Sequence, residues 1–142
     1  MAETAAAHIA FSRPSIGEAE IDEVVATLRS GWLTTGPRVH AFEDAFAAYI
    51  GARFAVAVNS CTAGLHLALI VTGTEPHDEV ITTPLTFCAT ANVIVHVGAT
   101  PVFADIDRRS MNLSPSAAEA AVTSRTRALV PVHYGGRPVD VD

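Results

Sequence analysis

From Phe54 onward, short apolar β-prone runs alternate with helix-patterned segments at close and regular spacing, and few folds accept that rhythm. Phe54–Val58 reads as a buried strand, and Glu79–Thr82, Pro101–Ala104 and Arg127–Val132 read as three further strands. Between them, Thr62–Val71 reads as a helix with Leu65, His66 and Leu69 on its inner face, and Phe87–Val97 as a second crossover helix. A third spans Ser114–Val122, with Ser114 as N-cap and Pro115 at the first helical position. Pro131 is expected at a strand end, where a missing N–H costs least. Strand–helix–strand alternation at this spacing implies parallel strands joined by crossover helices covering both sheet faces, an α/β architecture.

Two helices are expected upstream. Ile21, Val24, Val25 and Leu28 line one face of the first, which stops at Gly31. The second begins at Pro37, carries Phe42, Phe46, Tyr49 and Ile50 as its buried face, and ends at Gly51. A turn-rich loop, Trp32–Pro37, joins them. Residues 1–8 are alanine-rich, lack both basic residues and a long apolar stretch, do not read as a secretory signal, and are expected to be unstructured. Residues 9–142 are expected to form one truncated domain, because the final strand is followed only by a loop and its edge would stay open.

Composition removes several functions. A net charge of −6 argues against non-specific nucleic-acid binding, which needs surplus cations. No apolar run approaches the ~20 residues that span a bilayer, so a cytoplasmic location is the default expectation. Cys61 and Cys88 lack metal-site or disulfide-framework spacing. All nine basic residues are arginine. Chemistry that needs a lysine amine, whether a covalent cofactor link or a Walker-type phosphate contact, has no residue here to perform it.

In open α/β sheets ligands collect beyond the carboxyl ends of the strands. There, Asn59-Ser60-Cys61-Thr62-Ala63-Gly64 leads into a helix whose free N–H groups suit an anion such as phosphate. The same residues suit a plain helix cap, and the two readings stand side by side. Phe87, after the second strand, could stack on a flat ring; taken alone, a core phenylalanine is the simpler reading. Asp105 and Asp107 read as turn and capping residues rather than metal ligands. His133 is either a pocket-lining imidazole or a loop residue bonded to backbone. No glycine-rich dinucleotide fingerprint and no G-x-S-x-G elbow is present.

Five ordered blocks carry a family resemblance: Ser30–Pro37, Val56–Gly64, Asp78–Phe87, Gly98–Asp107 and Pro131–Gly136. Together they resemble the DegT/DnrJ/EryC1/StrS family of nucleotide-sugar aminotransferases. The resemblance implies an incomplete fold type I large domain, a mostly parallel sheet with flanking helices, and pyridoxal 5′-phosphate as cofactor. It implies that Cys61 and Thr62 bind the cofactor phosphate through backbone N–H groups, the Thr62 hydroxyl assisting, and that Phe87 stacks on the pyridine ring. It places Trp32, Leu33, Thr34 and Thr35 in a loop near the sugar-nucleotide site, often across a homodimer interface; Trp32 suits a packing anchor equally well.

In the family an amino donor, typically glutamate, gives its nitrogen to the cofactor, and a keto sugar nucleotide accepts it during amino-sugar biosynthesis. The lysine and the aspartate paired with the pyridine nitrogen come after the matched segment, so no catalytic residue is assigned here. Asp140 and Asp142 fall too early to replace that aspartate. The chain alone is expected to be inactive. Three alternatives remain open: a lysine-lacking binding module or truncated product, a fragment of a related sugar dehydratase, and a generic nucleotide binder.

Overall fold

A computed structural model describes residues 12–141. The stretch expected to be unstructured, 1–8, lies outside the described residues, as do Ile9 and Asp142. The chain divides into two compact units, one ending at Ala57 and the other starting at Val58. Among the described residues no helix is long and apolar enough to cross a membrane.

The first unit holds α1 (Glu18–Ser30) and α2 (Pro37–Ile50), as expected from their end signals. The Gly17 N–H donates to Glu20 Oε2 (2.7 Å), closing the first turn of α1, and Gly31 ends the helix in the left-handed region, φ 72°. Pro37 opens α2 and Gly51 closes it. Arg38 pairs with Glu23 across the two helices. The expected buried face of α2 is not buried: Phe42, Phe46, Tyr49 and Ile50 are all exposed, and only Ala47 is enclosed. Periodicity identifies an apolar stripe, but one pair of helices supplies no second layer to receive it.

The second unit contains α3 (Cys61–Val71), β1 (Glu79–Thr82), α4 (Ala89–His96), β2 (Thr100–Phe103), α5 (Pro115–Ala120) and β3 (Thr126–Val130). The three strands form one parallel sheet ordered β2-β1-β3. The expected strand at Phe54–Val58 does not form; the segment is irregular, with Phe54 and Val56 about three-quarters exposed. A strand needs a partner edge, and among the described residues this segment pairs with none: β1 lies between β2 and β3, and neither outer edge of the sheet takes it up. In this segment the Ala57 N–H instead donates to Glu43 Oε1 (2.8 Å).

β1 is the centre of the core, and its neighbouring residues serve opposite faces. Val80 joins Leu69 of α3 and Val93 and Ile94 of α4, with Ala128 and Val130 beside them. Ile81 joins Ala104, Leu113 and Ala118, with Val102 packed alongside. Both residues have 0 % exposure, as a central parallel strand covered on two sides requires. Each such side chain contributes about 1.5–3 kcal/mol of burial. A bulge places Arg127 opposite no β1 residue. Its guanidinium donates twice to the Thr72 carbonyl, at 3.1 and 2.6 Å, closing the C-terminal end of α3. At the start of β1 the buried Glu79 carboxylate accepts from Thr123 Oγ1 and Arg125. The Thr123 hydroxyl first, then Arg125, hold its pKa below the ordinary 4.5.

Candidate functional site

The carboxyl ends of β1 and β3 point their following loops to one end of the sheet, and the N-terminus of α3 meets them there. A cleft of about 600 Å³ results, with Cys61, Thr62, Phe87, Thr90, His133 and Tyr134 among its walls. Three residues singled out in the sequence for one ligand, Cys61, Thr62 and Phe87, therefore share one cavity.

The α3 terminus is both a cap and a donor site. Ser60 is the N-cap, its Oγ accepting the Ala63 N–H at 3.1 Å, while the Ser60 carbonyl accepts the Gly64 N–H. Among the described residues no acceptor meets the N–H groups of Cys61 or Thr62. The cap satisfies one of the orphan donors of the first turn and leaves these two at the cleft, on the positive end of an 11-residue helix. Such an arrangement binds an anionic oxygen without help from a cationic side chain.

Phe87 is not a core residue: its ring is 77 % exposed and lines the cleft. Its mount is stiff. Thr83 Oγ1 accepts the Leu85 N–H (3.1 Å), the Phe87 carbonyl accepts the Thr90 N–H (3.1 Å), and the Thr86 and Thr90 hydroxyls bond at 2.8 Å. An aromatic face held at a cleft by a rigid turn is suited to stacking.

The other wall, residues 131–135, carries His133 and Tyr134. The two readings of His133 hold together: it lines the cleft, and its Nδ1 accepts the Val139 N–H at 3.0 Å. Tyr134 opens a short 3-10 turn, and its N–H donates to Asn112 Oδ1 at 3.0 Å. Sequence reasoning missed Thr90, Tyr134 and Asn112. The helix spacing of Thr86 and Thr90 was a usable signal for the first; nothing local marks Asn112.

The Trp32–Thr35 loop belongs to the first unit and is not part of this cleft. Trp32 Nε1 donates to the Thr35 carbonyl at 2.9 Å, and its backbone N–H donates to Ser30 Oγ. The indole lies so close over Gly36 that a Cβ there would fall 2.1 Å from Nε1. Trp32 thus anchors its own loop; Leu33, Thr34 and Thr35 are exposed, the first two lining a groove of about 420 Å³.

Asp105 and Asp107 are turn residues, as expected. Asp105 Oδ1 accepts the Ile106 N–H, and Asp107 Oδ1 accepts those of Arg109 and Ser110. Hydrogen bonds from Ser110, its N–H above all, keep the Asp107 pKa below the ordinary 3.8. No group of three metal-ligating side chains occurs among the described residues, and Cys61 and Cys88 are free thiols.

Comparison with known proteins agrees with this geometry. The model of the DegT/DnrJ/EryC1/StrS aminotransferase family matches residues 14–142. The chain is 61 % identical over 132 residues to the spore coat polysaccharide biosynthesis protein SpsC of Bacillus subtilis, covering 93 % of this chain and 34 % of SpsC. Spr1654 of Streptococcus pneumoniae in its PLP form superposes with a TM-score of 0.88 at 45 % identity, over 93 % of this chain and 34 % of that one. NtdA of Bacillus subtilis with bound cofactor PMP superposes at 0.82 and 31 % identity, over 88 % and 30 % of the two chains. The chain thus spans about a third of the length of these relatives. With its parallel sheet, its helix-terminus cleft and a family match across nearly its whole length, the chain belongs to the DegT/DnrJ/EryC1/StrS aminotransferase family.

Proposed function

We propose that these residues form the cofactor-phosphate and ring-stacking part of a pyridoxal phosphate-dependent aminotransferase that places an amino group on a keto sugar nucleotide. The donor is glutamate, and the active assembly is a cytoplasmic homodimer. The observation that carries this reading is the convergence of Cys61, Thr62 and Phe87 on one cleft. The solved relatives with PLP and PMP support the cofactor, and SpsC, named for polysaccharide biosynthesis, supports a sugar acceptor.

The residues present fit the cofactor in two respects. Cys61 and Thr62 line the cleft at the α3 terminus, and their N–H groups meet no acceptor among the described residues, which suits a phosphate dianion. The Phe87 ring offers an open face about the size of a pyridine ring. When bound, the cofactor supplies an electron sink that lets nitrogen pass between donor and acceptor. The roles of this chain are binding and orientation. The Cys61 and Thr62 N–H groups hold the phosphate, the Thr62 hydroxyl adds a third donor, and Phe87 fixes the plane of the ring. Trp32, Leu33, Thr34 and Thr35 serve the sugar nucleotide, with Trp32 shaping the loop. The covalent and proton-transfer steps use a lysine, and none of the 142 residues is one.

Pyridoxamine phosphate tests this reading directly, because it lacks the aldehyde and so reports the cup and the stack without covalent chemistry. Titrated into the 142-residue chain and followed by 31P chemical shift and ring fluorescence, it is expected to bind reversibly, and Phe87→Ala is expected to weaken it. A folded chain that shows no saturable change in either signal sinks the proposal. Borohydride added to a mixture with pyridoxal phosphate is expected to trap no side-chain adduct.

A further inference from the structure

We infer that Asn112 is a positioning residue for the cleft: it clamps the 134–138 segment and thereby sets His133 as an Nε2–H hydrogen-bond donor on the cleft wall. The inference rests on the cofactor reading above.

Asn112 lies far from His133 in sequence, and it is 4 % exposed although Asp107, Arg108 and Arg109 of the same turn are exposed. Every polar atom of its side chain is used. Nδ2 donates to the Arg137 carbonyl (3.2 Å) and to the Pro138 carbonyl (3.1 Å), and Oδ1 accepts the Tyr134 N–H (3.0 Å). The partners dictate the amide orientation, since two carbonyls need the NH2 and one N–H needs the oxygen. One side chain thus closes both ends of a five-residue segment.

The turn that presents Asn112 is built to hold it. Met111, just before it, sits at φ 61°, in the left-handed region that a non-glycine residue enters at a cost. The Met111 N–H donates to the Asp107 carbonyl, the Asp107 N–H donates to the Asn112 carbonyl, and Ile106 bridges Leu113. A strained residue stapled on both sides keeps the Asn112 side chain aimed at the loop.

The consequence reaches the cleft one residue beyond the clamp. Val139 follows Pro138, whose carbonyl Asn112 holds, and the Val139 N–H donates to His133 Nδ1 at 3.0 Å. A backbone N–H at Nδ1 requires that nitrogen to be unprotonated, so the imidazole carries its proton on Nε2. His133 lines the cleft together with Cys61 and Phe87. An imidazole whose Nδ1 is held as an acceptor offers its Nε2–H on that wall to an oxygen of the bound cofactor. Releasing the clamp frees Val139 and lets the ring interchange its tautomers.

The test combines imidazole 15N spectra of the 142-residue chain with pyridoxamine phosphate titration. The unaltered chain is expected to show an acceptor-type Nδ1 and a protonated Nε2 at His133, together with slowly exchanging Asn112 side-chain amide protons. A tautomer mixture at His133 in the unaltered chain overturns the inference before any variant is made. Asn112→Ala is expected to produce that mixture and to weaken pyridoxamine phosphate about three- to tenfold. An unchanged tautomer and unchanged affinity in a folded Asn112→Ala chain also overturn it. If that variant does not fold, Val139→Pro removes the donor to His133 without touching the buried amide; it is expected to release the tautomer and weaken the probe to the same extent, and no change refutes the link. Failure of the unaltered chain to bind pyridoxamine phosphate with the His133 tautomer intact strikes the cofactor reading instead.

Discussion

Cys61→Pro isolates the phosphate cup with little effect on the fold around it. Cys61 is the first helical residue of α3, and its N–H meets no acceptor among the described residues. Proline is well tolerated at that position, where its missing donor is an orphan anyway. The residue before a proline must be extended, and Ser60 already is, at φ −162° and ψ 154°. The substitution therefore deletes one cup donor and breaks no hydrogen bond among the described residues. A hydrogen bond to a charged group contributes about 1.5–3 kcal/mol, so pyridoxamine phosphate should bind roughly ten- to a hundredfold more weakly. Cys61→Ala removes the thiol but keeps the N–H, and it is expected to bind like the unaltered chain. Titration calorimetry gives the affinities, and urea unfolding of the same samples gives stability, expected to change by less than about 0.5 kcal/mol. The reasoning is refuted if the proline and alanine variants bind the probe equally. It is refuted too if weaker binding of the proline variant is matched by an equal loss of stability.

Other perturbations separate structure from site. Ser60→Ala removes the cap bond to the Ala63 N–H and should cost about 1 kcal/mol in urea unfolding. Phe87→Ala should leave that midpoint nearly unchanged, because the ring is exposed, while weakening pyridoxamine phosphate by about 0.5–1.5 kcal/mol in calorimetry. Ile81→Ala opens the face shared with Ala104, Leu113 and Ala118 and should cost about 2–5 kcal/mol by the same unfolding assay. Glu79 sets an acid limit on stability. Its folded pKa lies below 4.5, so its contribution is complete above that pH and is lost as pH falls through the lower folded value. Urea midpoints measured from about pH 5 down to pH 3 should fall less steeply in Glu79→Gln than in the unaltered chain.

What could be read from the sequence was local, and what could not was pairing. Pro37 and the Ser114-Pro115 pair mark helix starts, and Gly31 and Gly51 mark stops, because capping involves residues within one turn. Glu79–Thr82 reads as a strand from its apolar run, and Val80 and Ile81 are both buried because a central parallel strand has no polar side. Phe54–Val58 is also apolar and β-prone and forms no strand, since a strand exists only where a partner bonds it, and no window of sequence contains the partner. The stripe of α2 fails in the same way: period predicts which residues share a face, and only a neighbouring layer decides whether that face is covered.

The cleft divides along the same line. Free N–H groups at the start of α3 follow from helix geometry, which serves a cap and an anion equally, and only the family resemblance singled out Cys61 and Thr62. Phe87 was ambiguous, because composition assigns a lone phenylalanine to the core and only its rigid, exposed mount removes it from there. Asn112 gave no signal, since its partners lie 22 to 26 residues away and a polar residue in a turn looks like any other. A site built from helix ends can thus be found by reading along a chain. The residues that hold its far wall in place emerge only when buried polar atoms are traced to the backbone they restrain.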